Sequence, residues 1–149
     1  MRTLGLAALA VALLAGATGD ALAQAKKALL FTAGSASQKF GESIRDQQEV
    51  LMHLSNMVME VFAMDTALHR LTKKNSADLQ ADITRTFIND AMSRLEFSAK
   101  QTLAAVAEGD ALRTQLAALR RLLRWIPINT VKTRQRIADY LTDQGRYSV

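Results

Sequence analysis

Cysteine is absent from the 149 residues, proline occurs once and histidine twice. Without cysteine there is no disulfide framework, no thiolate metal site and no cysteine nucleophile, and the chain suits either redox compartment equally. With Pro127 as the single proline, the rest of the chain lacks the strongest helix breaker. No run of alternating β-branched residues offers a strand. Glycine is sparse and scattered: Gly16, Gly19, Gly34 and Gly41 cannot cradle a phosphate, and no dinucleotide fingerprint or Gly-x-Ser-x-Gly elbow occurs. His53 and His69 lie sixteen residues apart, about 160° apart around one expected helix, so they cannot share a metal. Glu49/His53 and Asp65/His69 have i, i+4 spacing, but each pair supplies two ligands where a structural site needs about four. The residues therefore assign no catalytic group, no cofactor and no metal to this chain.

What is present is an apolar half, 49% of the composition, and a formal net charge of +5. The length fits one domain with a real core, and the charge suits an anionic partner. Arg2 precedes an apolar run from Leu4 to Ala15, followed by Gly16, Thr18 and Gly19, which is the order of a signal peptide. The small residues Ala21 and Ala23 before Gln24, or Ala23 and Ala25 before Lys26, offer cleavage positions. The run falls short of the ~20 apolar residues of a membrane span. Residues 1–23 are thus expected to be a signal-like leader, or else an Ala/Leu-rich helix start, and residues 24–149 the folded domain.

From Ala21 onward the pattern is all-α, an antiparallel bundle of about five helices. The first, about Asp20 to Phe40, places Ala25, Ala28, Leu29, Thr32, Ala36 and Phe40 at helical spacing, with Ala33, Gly34, Ser35 and Ala36 permitting close approach. After a break at Gly41, a segment from about Ser43 to Lys73 carries Val50, Leu54, Met57, Val61, Met64, Leu68 and Leu71 at alternating spacings of four and three. Leu51, Val58 and Phe62 are expected to widen that seam into a buried face. Asn75 or Ser76 can cap a third helix carrying Leu79, Ile83, Phe87, Ala91, Leu95, Ala99, Thr102 and Val106, with Gly109 as a left-handed stop. Asp110 is expected to cap a fourth helix that runs through Ile126 to Pro127. Asn129 or Thr130 begins a fifth, closed at Gly145.

Met52, Met57, Met59, Met64 and Met92 read either as core or as an adaptable groove, since thioether chains fill irregular gaps and accept varied partners. The fourth helix sets Leu112, Leu116, Leu119, Leu123 and Ile126 on one stripe, with Arg113, Arg120, Arg121, Arg124 and Trp125 as its polar surface and boundary. That pattern fits an anionic membrane surface or a solvated bundle helix. Nucleic acid is disfavoured: aromatic residues are few and no groove-reading motif accompanies the arginines.

Ala25-Lys26-Lys27-Ala28-Leu29-Leu30-Phe31 with Ala33-Gly34, then Gln47-Gln48-Glu49-Val50-Leu51, Met59-Glu60-Val61-Phe62-Ala63-Met64 and His69-Arg70 follow one another. In order and spacing these segments resemble the C-terminal helical extension of acyl-CoA dehydrogenases of the very-long-chain type. The ending, Arg136-Ile137-Ala138-Asp139 with Gly145-Arg146-Tyr147, is similar to that of bacterial members. The resemblance implies a noncatalytic module of fatty-acid β-oxidation enzymes, serving packing on a dehydrogenase core, subunit contact or membrane-surface association. It also implies that FAD and the catalytic glutamate belong to dehydrogenase domains that this chain lacks. The family implies the cytoplasm, whereas the leader reads as export to the periplasm; the alternative is an exported helical binding protein for a lipid or protein partner.

Overall fold

A computed structural model describes the backbone of residues 3–73 and 78–145, with side chains over 18–72 and 78–145. Five α-helices account for nearly all of it: α1 (Thr3–Phe40), α2 (Gln48–Lys73), α3 (Asp78–Val106), α4 (Gly109–Leu122) and α5 (Thr130–Gln144), with a 3₁₀ segment, Gly41–Asp46, between the first two. No strand occurs among the described residues. The bundle is antiparallel at its centre: Glu60 pairs with Arg94 across α2 and α3, and Asp82 and Asp90 of α3 pair with Arg136 and Arg134 of α5.

Small side chains decide how closely α1 docks. Its buried positions include Leu22, Ala25, Ala28, Thr32 and Ala36, a stripe that lets α2 and α3 approach its backbone. Gly34, expected to share that role, is exposed, and a Cβ there would meet nothing. The main core joins Leu22, Ala25 and Ala28 to Met57 and Met64 of α2, to Ile88, Ala91, Met92, Leu95, Ala99 and Leu103 of α3, and to Leu119 and Leu123. A smaller cluster, Ala36, Val50 and Val106, closes the end near the 3₁₀ segment. The seam read from α2 holds: Val50, Met57, Met64 and Leu71 are buried, with Leu54, Val61 and Leu68 half-buried.

Three boundaries differ from the sequence reading. The apolar N-terminal segment is not a separate element, for α1 continues unbroken through Ala23 and Gln24. An Ala/Leu-rich run without proline has high helix propensity, and single glycines cost only ~1 kcal/mol each. Leu22, assigned to the leader, is a core residue, so cleavage after Ala23 would cut the helix and remove part of the core. Secondly, α2 starts at Gln48 instead of about Ser43, because Gly41–Asp46 form a 3₁₀ segment, with the Ser43 hydroxyl donating back to the Phe40 carbonyl, 2.6 Å, and the Gln47 N–H to the Ile44 carbonyl. Thirdly, α4 ends at Leu122 instead of Ile126. Leu123 leaves helical geometry (φ −101°, ψ 78°) with its side chain buried, and Trp125 folds back against the core.

Capping explains the other ends. Glu108 occupies the N-cap of α4 without a side-chain bond, while Asp110 lies inside the first turn and accepts from Arg113. Asn129 Oδ1 accepts from the Lys132 N–H, 3.1 Å, starting α5 as its sequence indicates. Gly145 (φ 61°) ends it, and Gly109 (φ 58°) separates α3 from α4, both left-handed conformations that glycine adopts without steric cost. The caps proposed at Asn75 and Ser76 lie outside the described residues.

Candidate functional site

The surfaces of the bundle, more than any enclosed cavity, carry its chemistry. On α4, Arg113 is exposed and donates to Asp110 Oδ1 at 2.9 Å, and Arg120 and Arg121 stand exposed in the last turn. Arg124 is exposed beyond the helix end, whereas Trp125 is half-buried and packs on the core. The apolar stripe of α4 is already occupied: Leu119 and Leu123 are buried and Leu112 and Leu116 pack against the same core. This helix therefore cannot lay its apolar face into a bilayer without leaving the bundle. The connection after it and the first turn of α5 do present apolar groups, Ile126 at 85% exposed with Ile128 and Val131 beside it in sequence, among Arg120, Arg121, Arg124 and Lys132. The Ile128 N–H donates to Asn89 Oδ1, 3.0 Å, which pins this connection to α3.

The second surface is the outer side of α2 and α3. Of the methionines singled out from sequence, Met57, Met64 and Met92 are fully buried, while Met52 and Met59 are exposed. Met52, Met59 and Phe97 line a cleft of about 570 Å³ together with His53 and the Glu60–Arg94 pair. A second cleft of about 720 Å³ follows along the same helices, lined by Phe62, Ala63, Ile83 and Phe87. Arg94 donates through Nε and Nη2 to both carboxylate oxygens of Glu60, and these bonds push its guanidinium above its ordinary pKa. Val58 and Phe62, expected in the buried face, are exposed instead. A seven-position seam already fills the contact with the bundle, leaving these residues on the far side of the helix.

The two histidines serve different neighbours. His53 is half-buried with its ring edge-on to Phe97, centroids 6.1 Å apart, and its buried Nδ1 has no hydrogen-bond partner. His69 Nε2 lies 3.5 Å from Asp65 Oδ2, and Lys26 Nζ lies 2.8 Å from the other oxygen. The hydrogen bond from Lys26, helped by the charges of Lys26 and His69 and opposed by desolvation, holds the Asp65 carboxyl below the usual carboxylate range. Its stabilising effect is present above the unfolded carboxylate's pKa and is lost as pH falls through the lower folded value. Among the described residues no group of three or more His, Asp or Glu stands close enough to hold a metal ion. No helix among them is long and apolar enough to cross a membrane. At the suggested cleavage position Ala23 is exposed, and Gln24 is half-buried with Oε1 unpartnered.

Residues 24–121 match the family model described as acyl-CoA dehydrogenase, C-terminal domain. A probable acyl-CoA dehydrogenase of Bacillus subtilis (strain 168) is 36% identical over 132 residues, covering 85% of this chain and 22% of that protein. The crystal structure of an acyl-CoA dehydrogenase complexed with FAD from Bacillus anthracis superposes with a TM-score of 0.82 at 32% identity, covering 89% of this chain and 24% of that one. The chain thus spans less than a quarter of the length of these relatives.

Proposed function

The chain belongs to the acyl-CoA dehydrogenase C-terminal domain family, and from that premise we propose that it is a noncatalytic helical module that docks on a dehydrogenase core of fatty-acid oxidation. The observation that carries this reading is the coverage: the match takes in most of the bundle but only 22% of one relative and 24% of the other. A part of that size, built with its own two-cluster core, acts through its surface. Flavin and acyl-CoA binding belong, on this reading, to the dehydrogenase partner. The test mixes this chain with the Bacillus subtilis relative from which the matching segment has been deleted. Co-elution in size-exclusion chromatography is expected with the truncated relative and not with the intact one, whose own segment occupies the place. The purified chain alone is expected to lack flavin absorbance. Failure to bind the truncated relative, with that relative folded and holding flavin, overturns docking.

The connection after α4 favours a second role for the same module, association with an anionic membrane surface. Exposed Ile126, Ile128 and Val131 supply apolar groups, and Arg120, Arg121, Arg124 and Lys132 supply charge. Such insertion through a connection replaces the helix-face mode that the burial of Leu119 and Leu123 excludes. Co-sedimentation with phosphatidylserine-containing vesicles, absent with phosphatidylcholine vesicles and weakened by Ile126→Asp, is the expected result. Equal partition to both vesicle types removes the electrostatic part of this reading.

A further inference from the structure

The larger cleft between α2 and α3 is polar at one end and apolar at the other. Ala63 and Ala67 of α2, half-buried and one turn apart, leave a furrow of about 720 Å³. The antiparallel order of the two helices brings Arg70 level with Gln80 and Thr84 at one end, and Phe62 toward Ile83 and Phe87 at the other. Arg70 forms no ion pair among the described residues, and neither the Gln80 amide nor the Thr84 hydroxyl has a hydrogen-bond partner among them. Thr84 is nevertheless only 8% exposed. A buried hydroxyl is ordinarily bonded, so an unpaired one lining a cleft marks a place for a ligand's acceptor atom. The smaller cleft differs, for its Arg94 is already held by Glu60.

The carboxylates of the same stretches turn away from this furrow. Asp65 bonds Lys26 of α1, Asp82 and Asp90 bond Arg136 and Arg134 of α5, and exposed Asp78 lies about 160° round α3 from Gln80. The polar end therefore offers a guanidinium, an amide and a hydroxyl, with no carboxylate to oppose an anion. We infer that the cleft binds the free carboxylate of a single-chain aliphatic acid, its head at Arg70 and its tail along Ile83, Phe62 and Phe87.

Charge and length select that occupant. The planar fork of arginine matches a carboxylate through two parallel hydrogen bonds, and one guanidinium balances one negative charge. Eight residues of rise from Arg70 to Phe62 span about 12 Å, the reach of a tail of about eight to ten carbons. A protein segment would bring donors as well as acceptors to the polar end, where no carboxylate receives them. A mostly apolar cleft of this size, with a few polar groups converging at one end, is the usual form of a small-ligand site. The cleft shares no residue with the connection after α4, and its occupancy does not depend on docking to a dehydrogenase.

Titration of the isotope-labelled full chain with decanoate, followed by amide chemical shifts, tests the inference. Saturable shifts at residues 62–71 and 80–87 are expected, with a Kd on the order of 0.1–1 mM. No saturable shift there at several times the upper concentration overturns the proposal. Octanoate, two methylenes shorter, is expected to bind up to about fifteenfold more weakly. Decyltrimethylammonium, with the same tail and the opposite charge, is expected to leave these amides unmoved; binding equal to decanoate would refute recognition of the head. Arg70→Gln, at an exposed position, should weaken decanoate at least threefold, and Ala67→Leu, which fills the furrow, should weaken it too, both with unchanged helicity. Unaltered affinity in either variant overturns the placement. Broadening of the same amides by phosphatidylglycerol vesicles, with no response to decanoate, would assign the cleft to a membrane lipid and sink the free acid. The comparison of the two decyl compounds uses the unaltered chain, so it decides even if a variant unfolds.

Discussion

Thr32 and Thr102 are both fully buried, and neither hydroxyl has a hydrogen-bond partner. An unsatisfied buried hydroxyl costs ~1–3 kcal/mol, and replacing it by a methyl of similar shape removes that cost without opening a cavity. Thr102→Val is therefore expected to raise stability by about 1 kcal/mol, read as a higher midpoint in urea denaturation; an unchanged or lower midpoint would mean that the hydroxyl is satisfied in solution. The polar groups between α3 and α5 are matched. Asp82, with its side chain 12% exposed, receives both Nε and Nη2 of Arg136 at 2.8 and 2.6 Å, and the Thr86 and Thr133 hydroxyls pair at 2.7 Å where both residues are buried.

At the scale of the element, α4 and its exit show where local signals end and tertiary packing takes over. Pro127 is a helix stop in the sequence, yet the helix ends before it because Leu123 is 9% exposed and fixed in the main core. Leu123→Ala is expected to destabilise the fold by ~2–3 kcal/mol, measured by chemical denaturation, and to loosen the connection bearing Ile126. A loss under about 0.5 kcal/mol would show that this residue does not anchor the turn. What could be read from the sequence was whatever is written at short range: the 4-3 seam of α2, the apolar face of α3, the Asn129 cap and the Gly145 stop. What could not be read depends on contacts far apart in the chain. Whether Phe62 joins the inner or the outer side of α2 is decided by α1 and α3, and the fate of Trp125 by a core assembled from four other segments. The exposure of Met52, Val58, Met59 and Phe62 escapes a reading that assigns every apolar residue of a helix to one face. The arginine-rich surface was legible by residue type, but its geometry was not, since Arg124 and Trp125 lie outside the helix to which periodicity assigned them.

Across the whole molecule, the core extends further toward the N-terminus than the family match, which begins at residue 24. Leu22 is 7% exposed and belongs to the main cluster, one turn before Ala25. A chain beginning at Gln24 is expected to be less stable than the full chain by ~1.5–3 kcal/mol, the value of burying one leucine, and calorimetry of the two chains measures it. Equal stability would mean that Leu22 adds nothing to the bundle and that α1 can be cut there freely. The five helices are also not held alike. α1, α2, α3 and α4 share the apolar cluster, but α5 contacts α3 alone, and its one buried residue is Thr133. Its polar attachments are Arg134 to Asp90, Arg136 to Asp82, and the threonine pair, and Ile137 and Leu141 are half-buried. Salt screens exposed charges more than part-buried ones, so it acts on the exposed Arg134–Asp90 pair more than on the part-buried Arg136–Asp82 pair. The last helix is thus a latch whose grip is partly ionic: salt eases it at Arg134, while Arg136 and the threonine pair keep hold.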